Sequence, residues 1–248
     1  MSGYRQDLAW IHDEGFSGFV LAAAPGILSL MRRRGIRDGR VVDLGCGGGR
    51  WAAILEKAGY ETLGIDIAPA MIALARRRAP GARFRRASVL TTPLPRCDAV
   101  TALGECVSYM QGPAGGSSLT RLFRRVHRAL RPGGLFVLDF AEPGRAGAAG
   151  AHRIFKEGPG WAVMVETQED PRRRILTRRI TAFRRIGSGP GGWRRSHEVH
   201  RLRLRFRAEM AAALREAGFG VRALSGYGCL TLPPGHAALE ARRLEVKR

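Results

Sequence analysis

Val41-Val42-Asp43-Leu44-Gly45-Cys46-Gly47-Gly48-Gly49 is the stretch that decides the fold of this chain. Two β-branched residues followed by Leu44 read as the end of a buried strand, and the glycine cluster behind them reads as a turn. Trp51, Ile54, Leu55 and Ala58 then recur at helical spacing. A strand that turns through glycines into a helix brings bare backbone N–H groups and a helix N-terminus against a ligand. Asp43 closes that strand. A second acid, Asp66, ends another strand-like run (60–65) about 20 residues on, where a ribose-binding carboxylate is expected. The pattern predicts a site for an adenosine-type nucleotide.

The spacing of the glycines narrows the nucleotide. The dinucleotide fingerprint G-x-G-x-x-G fails from Gly45, because Arg50 takes its last place, and survives only in its looser form from Gly47 through Gly49 to Ala52. The string Asp43-x-Gly45-x-Gly47-x-Gly49 instead resembles motif I of the class I S-adenosylmethionine (SAM)-dependent methyltransferases. Further segments similar to that family follow in order. Gly64-Ile65-Asp66-Ile67-Ala68-Pro69-Ala70-Met71 is similar to its second strand and acidic end. Cys97-Asp98-Ala99-Val100-Thr101-Ala102-Leu103-Gly104-Glu105 is similar to the fourth strand and motif IV. Leu130-Arg131-Pro132-Gly133-Gly134-Leu135-Phe136-Val137-Leu138-Asp139 is similar to the turn into the fifth. The resemblance is strong over 36–141 and loose elsewhere.

Composition sets the outer bounds. A chain of 248 residues can bury one good core and a small appended subdomain. Four scattered cysteines (Cys46, Cys97, Cys106, Cys229), with no C-x-x-C pair and no histidine at ligand spacing, point to reduced thiols in a cytoplasmic protein and to no metal site. The apolar run 21–31 is too short to span a bilayer and contains Pro25 and Gly26, and Asp13 and Glu14 stand where a signal peptide would carry positive charge. A membrane partner is therefore not expected. The net charge of +21 raises the prospect of a nucleic-acid partner. Yet only Lys57, Lys156 and Lys247 are lysines, and the arginines are spread over many segments (32–34, 76–78, 172–174, 184–185, 194–195). Solvated faces of helices and strands in an arginine-rich composition account for that distribution, so nucleic acid is possible but not favoured.

Periodicity divides the chain into parts. Residues 1–38 read as a helical lid: Tyr4, Leu8 and Ile11 share a face, and a second helix over 17–34 is expected to break or kink at Pro25-Gly26. Residues 39–141 alternate strands and helices in the βαβ manner of a parallel sheet, with a flexible loop over 112–118. Residues 144–150 are a small-residue link. Within an insert spanning 151–206, three long alternating runs (161–169, 173–186, 193–206) read as a three-stranded antiparallel meander. Residues 207–248 return to a helix and two strands. The expected fold is α/β, a doubly wound seven-stranded Rossmann-like methyltransferase sheet, with an N-terminal helical lid and an antiparallel β-insert after the fifth strand. It forms a single domain in which the insert covers the acceptor pocket.

The resemblance implies SAM as cofactor and assigns candidate residues. Asp66 would accept hydrogen bonds from the ribose diol, and Gly45, Gly47 and Gly49 would let the backbone approach the methionine part, with Cys46 and Ile67 in the same two segments. Asp43 would act through the loop on the ligand's ammonium, or serve as a structural cap. Ser88 and Val89 follow the third strand where the family places an acid and a backbone N–H at the adenine; serine replaces the acid here. Leu103 and Gly104 end the fourth strand, suited to backbone contacts. Glu105 could bind the ammonium, orient the acceptor, act as base, or be structural. Tyr109 lies one turn on. His12 would close over the site as part of the lid, or lie on the surface. In His197-Glu198-Val199-His200, the two histidines fall on opposite faces of a strand and cannot chelate a metal together. Glu198 and His200 share a face, where they could form an acceptor-side base or a cross-strand salt bridge; Tyr227 could touch the pocket or pack. The implied function is methyl transfer to an N, O, S or C atom of a small molecule by a monomer or homodimer. The alternatives are an RNA methyltransferase, a non-catalytic SAM-binding protein and a dehydrogenase.

Overall fold

The structure is a computed structural model that describes residues 4–109, 115–187 and 192–244. Residues 110–114, which include part of the loop expected at 112–118, and residues 188–191, between the second and third runs of the expected meander, lie outside the described residues.

Two helices come first, α1 (Gln6–Gly15) and α2 (Gly18–Arg33), bent by 59° at their junction. The break expected at Pro25 is absent, and α2 is continuous through it. Pro25 lies on the exposed side, where the carbonyl it leaves unpaired can bond water. Gly26 has a different purpose. A Cβ there would sit 2.1 Å from the Tyr227 carbonyl carbon, so a bare backbone lets a later hairpin press against the helix.

The core then alternates: β1 (Arg40–Leu44), α3 (Arg50–Lys57), β2 (Glu61–Asp66), α4 (Pro69–Arg78), β3 (Arg83–Arg86), β4 (Cys97–Ala102), α5 (Gly115–Ala129) and β5 (Leu130–Ala141). Four strands of the insert follow, β6 (Ala151–Gly158), β7 (Trp161–Asp170), β8 (Ile175–Arg185) and β9 (Trp193–Arg203). The chain closes with α6 (Arg207–Glu216), β10 (Phe219–Leu224), a short hairpin β11 (Gly226–Tyr227) and β12 (Leu230–Thr231), and β13 (His236–Arg243).

The main sheet has seven strands in the order β10-β13-β5-β4-β1-β2-β3, and only β13 runs against the others. The chain moves outward in one direction from β1 and in the other from β4, so the carboxyl ends of these two neighbours open the crevice in which doubly wound sheets bind ligands. Helices cover both faces. Leu119, Leu122, Phe123 and Val126 of α5 pack with Met210 and Leu214 of α6 on one face; Ala23, Ile27, Leu30 and Met31 of α2 pack with Trp51 and Leu55 of α3 on the other. Each large side chain buried in this way contributes about 1.5–3 kcal/mol.

The insert is a four-stranded antiparallel sheet, β6-β7-β8-β9, rather than the three strands expected. β6 escapes a reading by alternation because it is an edge strand with nearly every residue exposed; backbone pairing to β7 holds it. Its inner face packs on α1, where Leu8 and Ile11 meet Trp161, Val163, Val165, Ile180 and Ala182. No single helix among the described residues is long and apolar enough to cross a membrane.

Candidate active site

A cavity of about 670 Å³ opens at the carboxyl ends of β1 and β4 and continues to the inner face of the insert and α1. One end is built by the turn after β1. Gly45, Gly47 and Gly49 all have positive φ (71°, 52° and 79°). At Gly45 a Cβ would meet the Cys106 sulfur and at Gly49 the backbone of Ala75, whereas at Gly47 it would point into open space. The turn is thus packed tightly from behind and bare toward the cavity, which suits backbone approach by a ligand.

Asp66 fastens this turn. Its Oδ2 accepts the Gly47 N–H (3.0 Å) and its Oδ1 the Ala68 N–H (2.8 Å) at the start of α4. Burial raises its pKa, against the lowering pull of these backbone donors. Each carboxylate oxygen keeps a second lone pair, so capping the helix leaves Asp66 able to accept from a ligand diol. Asp43 is buried and accepts the Thr101 hydroxyl at 2.8 Å. Burial pushes it up to about 7, in spite of that hydrogen bond. Cys46, Ile67, Ser88, Val89, Leu103 and Gly104 all line the same end of the cavity. The Ser88 hydroxyl oxygen accepts the Leu90 N–H (3.3 Å) and keeps its own proton to donate, and the Val89 carbonyl accepts from Arg125.

The other end is built of side chains. Glu105 follows β4 with φ +62°, a region few residues with a Cβ enter, and is buried. Arg145 donates Nε to its Oε1 (2.5 Å) and Arg178 of β8 donates Nη2 to its Oε2 (2.8 Å). Burial alone would raise the Glu105 pKa; the two guanidinium groups outweigh it and hold the carboxyl at about 2. Such a carboxylate is a poor proton acceptor near neutral pH, so of the roles open to Glu105 the geometry suits positioning and not general base. Tyr109 hydrogen-bonds Tyr4 (3.2 Å) and lies 3.4 Å from Arg178 Nη1. His12 is on the α1 wall, its pKa lowered to about 4 by burial first and Arg178 next, so its imidazole is neutral at pH 7.

Glu198 and His200 are a bonded pair (3.0 Å) on the inner face of β9, and His197 is exposed on the other face. Neither member of the pair belongs to the cavity wall; the His200 ring stacks edge-on behind Tyr4 and Tyr109, with centroids at 4.7 and 5.8 Å. Like His12 and His152, His236 at the start of β13 does line the cavity. Its Nε2 bonds the fully buried Asp139 (3.0 Å), which also accepts the N–H groups of Gly104 (3.1 Å) and Glu105 (2.6 Å) and the Tyr227 hydroxyl (3.3 Å). His236 Nδ1 is buried without a partner among the described residues. The sequence carries one signal for this group: Asp139 interrupts an otherwise apolar run, 135–141, and a buried acid demands partners. Nothing comparable marks Arg145 or Arg178 among so many arginines.

With this geometry in hand, residues 41–134 match a protein family described as a methyltransferase domain. Residues 41–134 thus carry a methyltransferase domain, and the fold is shared with a solved SAM-dependent methyltransferase of Clostridium acetobutylicum (TM-score 0.80, 17% identity, 96% of this chain and 98% of the other). The matched segment contains the glycine turn, Asp66, Ser88 and the end of β4, while α1 and the insert lie outside it. A demethylmenaquinone methyltransferase of Thermus thermophilus is 33% identical over 123 residues, 47% of this chain and 54% of the relative. The chain thus spans about half the length of that relative. A dTDP-3-amino-3,4,6-trideoxy-alpha-D-glucopyranose N,N-dimethyltransferase of Streptomyces venezuelae is 26% identical over 230 residues, 90% of this chain and 94% of that one. The solved structure of Streptomyces venezuelae DesVI shares the fold, with a TM-score of 0.79, 22% identity, and coverage of 96% of this chain and 99% of the other.

Proposed function

We propose that the chain is a cytoplasmic SAM-dependent methyltransferase that methylates an N, O, S or C atom of a small molecule, as a monomer or homodimer. The observation that carries this reading is the single cavity joining a backbone-built cradle to a side-chain-built chamber under the insert. The printed activities of the two relatives, on demethylmenaquinone and on a dTDP-amino sugar, support a small acceptor.

The residues of the first end fit SAM. Asp66 would take the ribose diol, the bare backbone at Gly47 and the end of β4 at Leu103 and Gly104 the methionine part, and Ile67, Ser88 and Val89 the adenine. Asp43, close to half-ionised at neutral pH, would take the ammonium. When bound, the cofactor supplies a sulfonium methyl whose sulfur leaves as a neutral thioether. The chain's own work is then to align an acceptor and exclude water. α1 and the insert close the chamber with Leu8, Val163, Val165 and Ile180. Glu105, fixed by two arginines, is a positioning group. A proton released by a hydroxyl or amine acceptor has three imidazoles within the cavity wall, His12, His152 and His236; Asp139 orients the last, whose Nδ1 has no partner among the described residues. Glu198 and His200 steady the tyrosines from behind.

The test is to incubate the protein with methyl-labelled SAM and a cell extract, then separate low-molecular-weight, RNA and protein fractions. Label in the low-molecular-weight fraction is the expected outcome; label confined to RNA or protein overturns the small-molecule reading.

A further inference from the structure

The chamber under the insert holds more positive charge and more hydrogen-bond donors than its own residues consume. Two guanidinium groups, Arg145 and Arg178, share one carboxylate, Glu105, so the cluster carries a net charge of +1. The other acids of the cavity wall are committed elsewhere. Asp13 pairs with Arg50 and Arg78, and Asp43 and Asp66 belong to the cradle at the opposite end. Glu198, the nearest acid on β9, is taken by His200 and the Arg5 N–H.

The donors are also in surplus. Arg145 uses only Nε; its two terminal nitrogens have no hydrogen-bond partner among the described residues. Arg178 Nη1 reaches only the Tyr109 oxygen, at a long 3.4 Å. Tyr4 and Tyr109 have one hydrogen bond between them, so one of their two hydroxyl protons remains to be given. An ion network that merely tied the insert to the core would spend its donors internally. An uncompensated positive charge on two side chains that are three-quarters or more shielded from water is unfavourable unless an anion enters with the substrate. Guanidinium groups match the planar oxygens of carboxylate and phosphate with paired N–H donors, which a point charge does not.

We propose that Arg145 and Arg178 form an oxyanion subsite, and that the methyl acceptor is a small molecule bearing a carboxylate or phosphate group which this subsite holds. The inference rests on the methyltransferase reading for the word acceptor, but the subsite itself does not. Glu105, set by its left-handed backbone, spaces the two arginines. The anion then fixes one end of the acceptor while the reacting atom faces the end of β4.

The test is a titration of the full-length protein, with and without S-adenosylhomocysteine (SAH), by acetate, inorganic phosphate and neutral acetamide, reading the arginine Nε–H resonances by NMR. Expected are saturable shifts of Arg145 and Arg178 with at least one of the two anions and none with acetamide. The anion that binds more tightly separates a carboxylate from a phosphate source. Arg145→Gln should weaken that binding at least tenfold. Arg145→Lys, which keeps the charge without the fork, should fall between, and it serves as the deciding variant if the glutamine form fails to fold. Shifts that rise linearly without saturation, or that are equal in native and variant protein, reduce the effect to general attraction by a chain of charge +21 and overturn the proposal. If SAH fails to bind while the anions still do, the methyltransferase reading falls and the subsite stands. If SAH binds and the anions do not, the reverse holds.

Discussion

The two ends of the cavity are built on different plans. The cradle after β1 is made of backbone: three glycines, an acid that caps the turn, and a strand end, all drawn from a short run of sequence and its neighbouring strand. The chamber under the insert is made of side chains contributed by residues as far apart as Tyr4, Glu105, Arg145, Arg178 and His236. A backbone cradle recognises what is constant between members of a family, and it tolerates little change. A side-chain chamber can be respecified one residue at a time, which is how one scaffold serves many acceptors.

That contrast can be broken most forcefully at the cradle. Asp66→Ala removes both the proposed ribose acceptor and the partner of the Gly47 and Ala68 N–H groups. SAH affinity measured by calorimetry should fall at least 100-fold, about 3 kcal/mol. Unchanged affinity would mean that the ribose lies elsewhere. At the chamber, Glu105→Gln leaves two arginines without their carboxylate. Stability should drop by about 3 kcal/mol, near 10 °C in Tm, while the folded variant still binds SAH. Loss of SAH binding in a folded protein would instead make Glu105 part of the cradle.

Protonation sharpens the comparison further. Asp43, raised to about 7 in the free protein, is protonated below that pH and charged above it. A ligand ammonium favours the charged form, so binding should release a proton and SAH affinity should improve about tenfold from pH 6 to pH 8. Asp43→Asn should flatten the profile. His12 has the opposite kind of shift. Its imidazole is held neutral with a pKa of about 4 against an ordinary value of 6.5, so the unfolded chain binds the proton first. Its contribution to stability is complete above pH 6.5 and is lost as pH falls toward 4, and His12→Gln should remove that part of the acid-side decline in urea melts. The smallest effect belongs to Glu198→Gln. The pair with His200 stands behind the tyrosines, so SAH affinity should be unchanged and stability should fall by about 1.5 kcal/mol.

The cradle was legible in the sequence because its determinants are contiguous. A strand end, glycines at fixed spacing and an acid after the next strand each leave a local mark, and all three stand where the structure puts the turn. The parallel βαβ core of the sheet followed from the same alternation. The chamber left no such mark. Arg178 is one arginine among many on an alternating strand, and only the folding of β8 over the end of β4 gives it Glu105 as a partner. β6 was missed because an exposed edge strand has no buried face to impose a period. The predicted break at Pro25 failed because an exposed position in a helix supported by packing on both flanks can do without one hydrogen bond. His236 lies next to Asp139 through antiparallel pairing of β13 with β5, a contact across about a hundred residues that no local pattern announces.

The backbone cradle is proposed to hold SAM and its demethylated product in preference to a dinucleotide. Calorimetric titration of the native protein with SAH and with NAD tests it most directly. Expected are one saturable site for SAH, weakened at least 100-fold by Asp66→Ala, and no heat of binding with NAD. Saturable binding of NAD with none of SAH would contradict it.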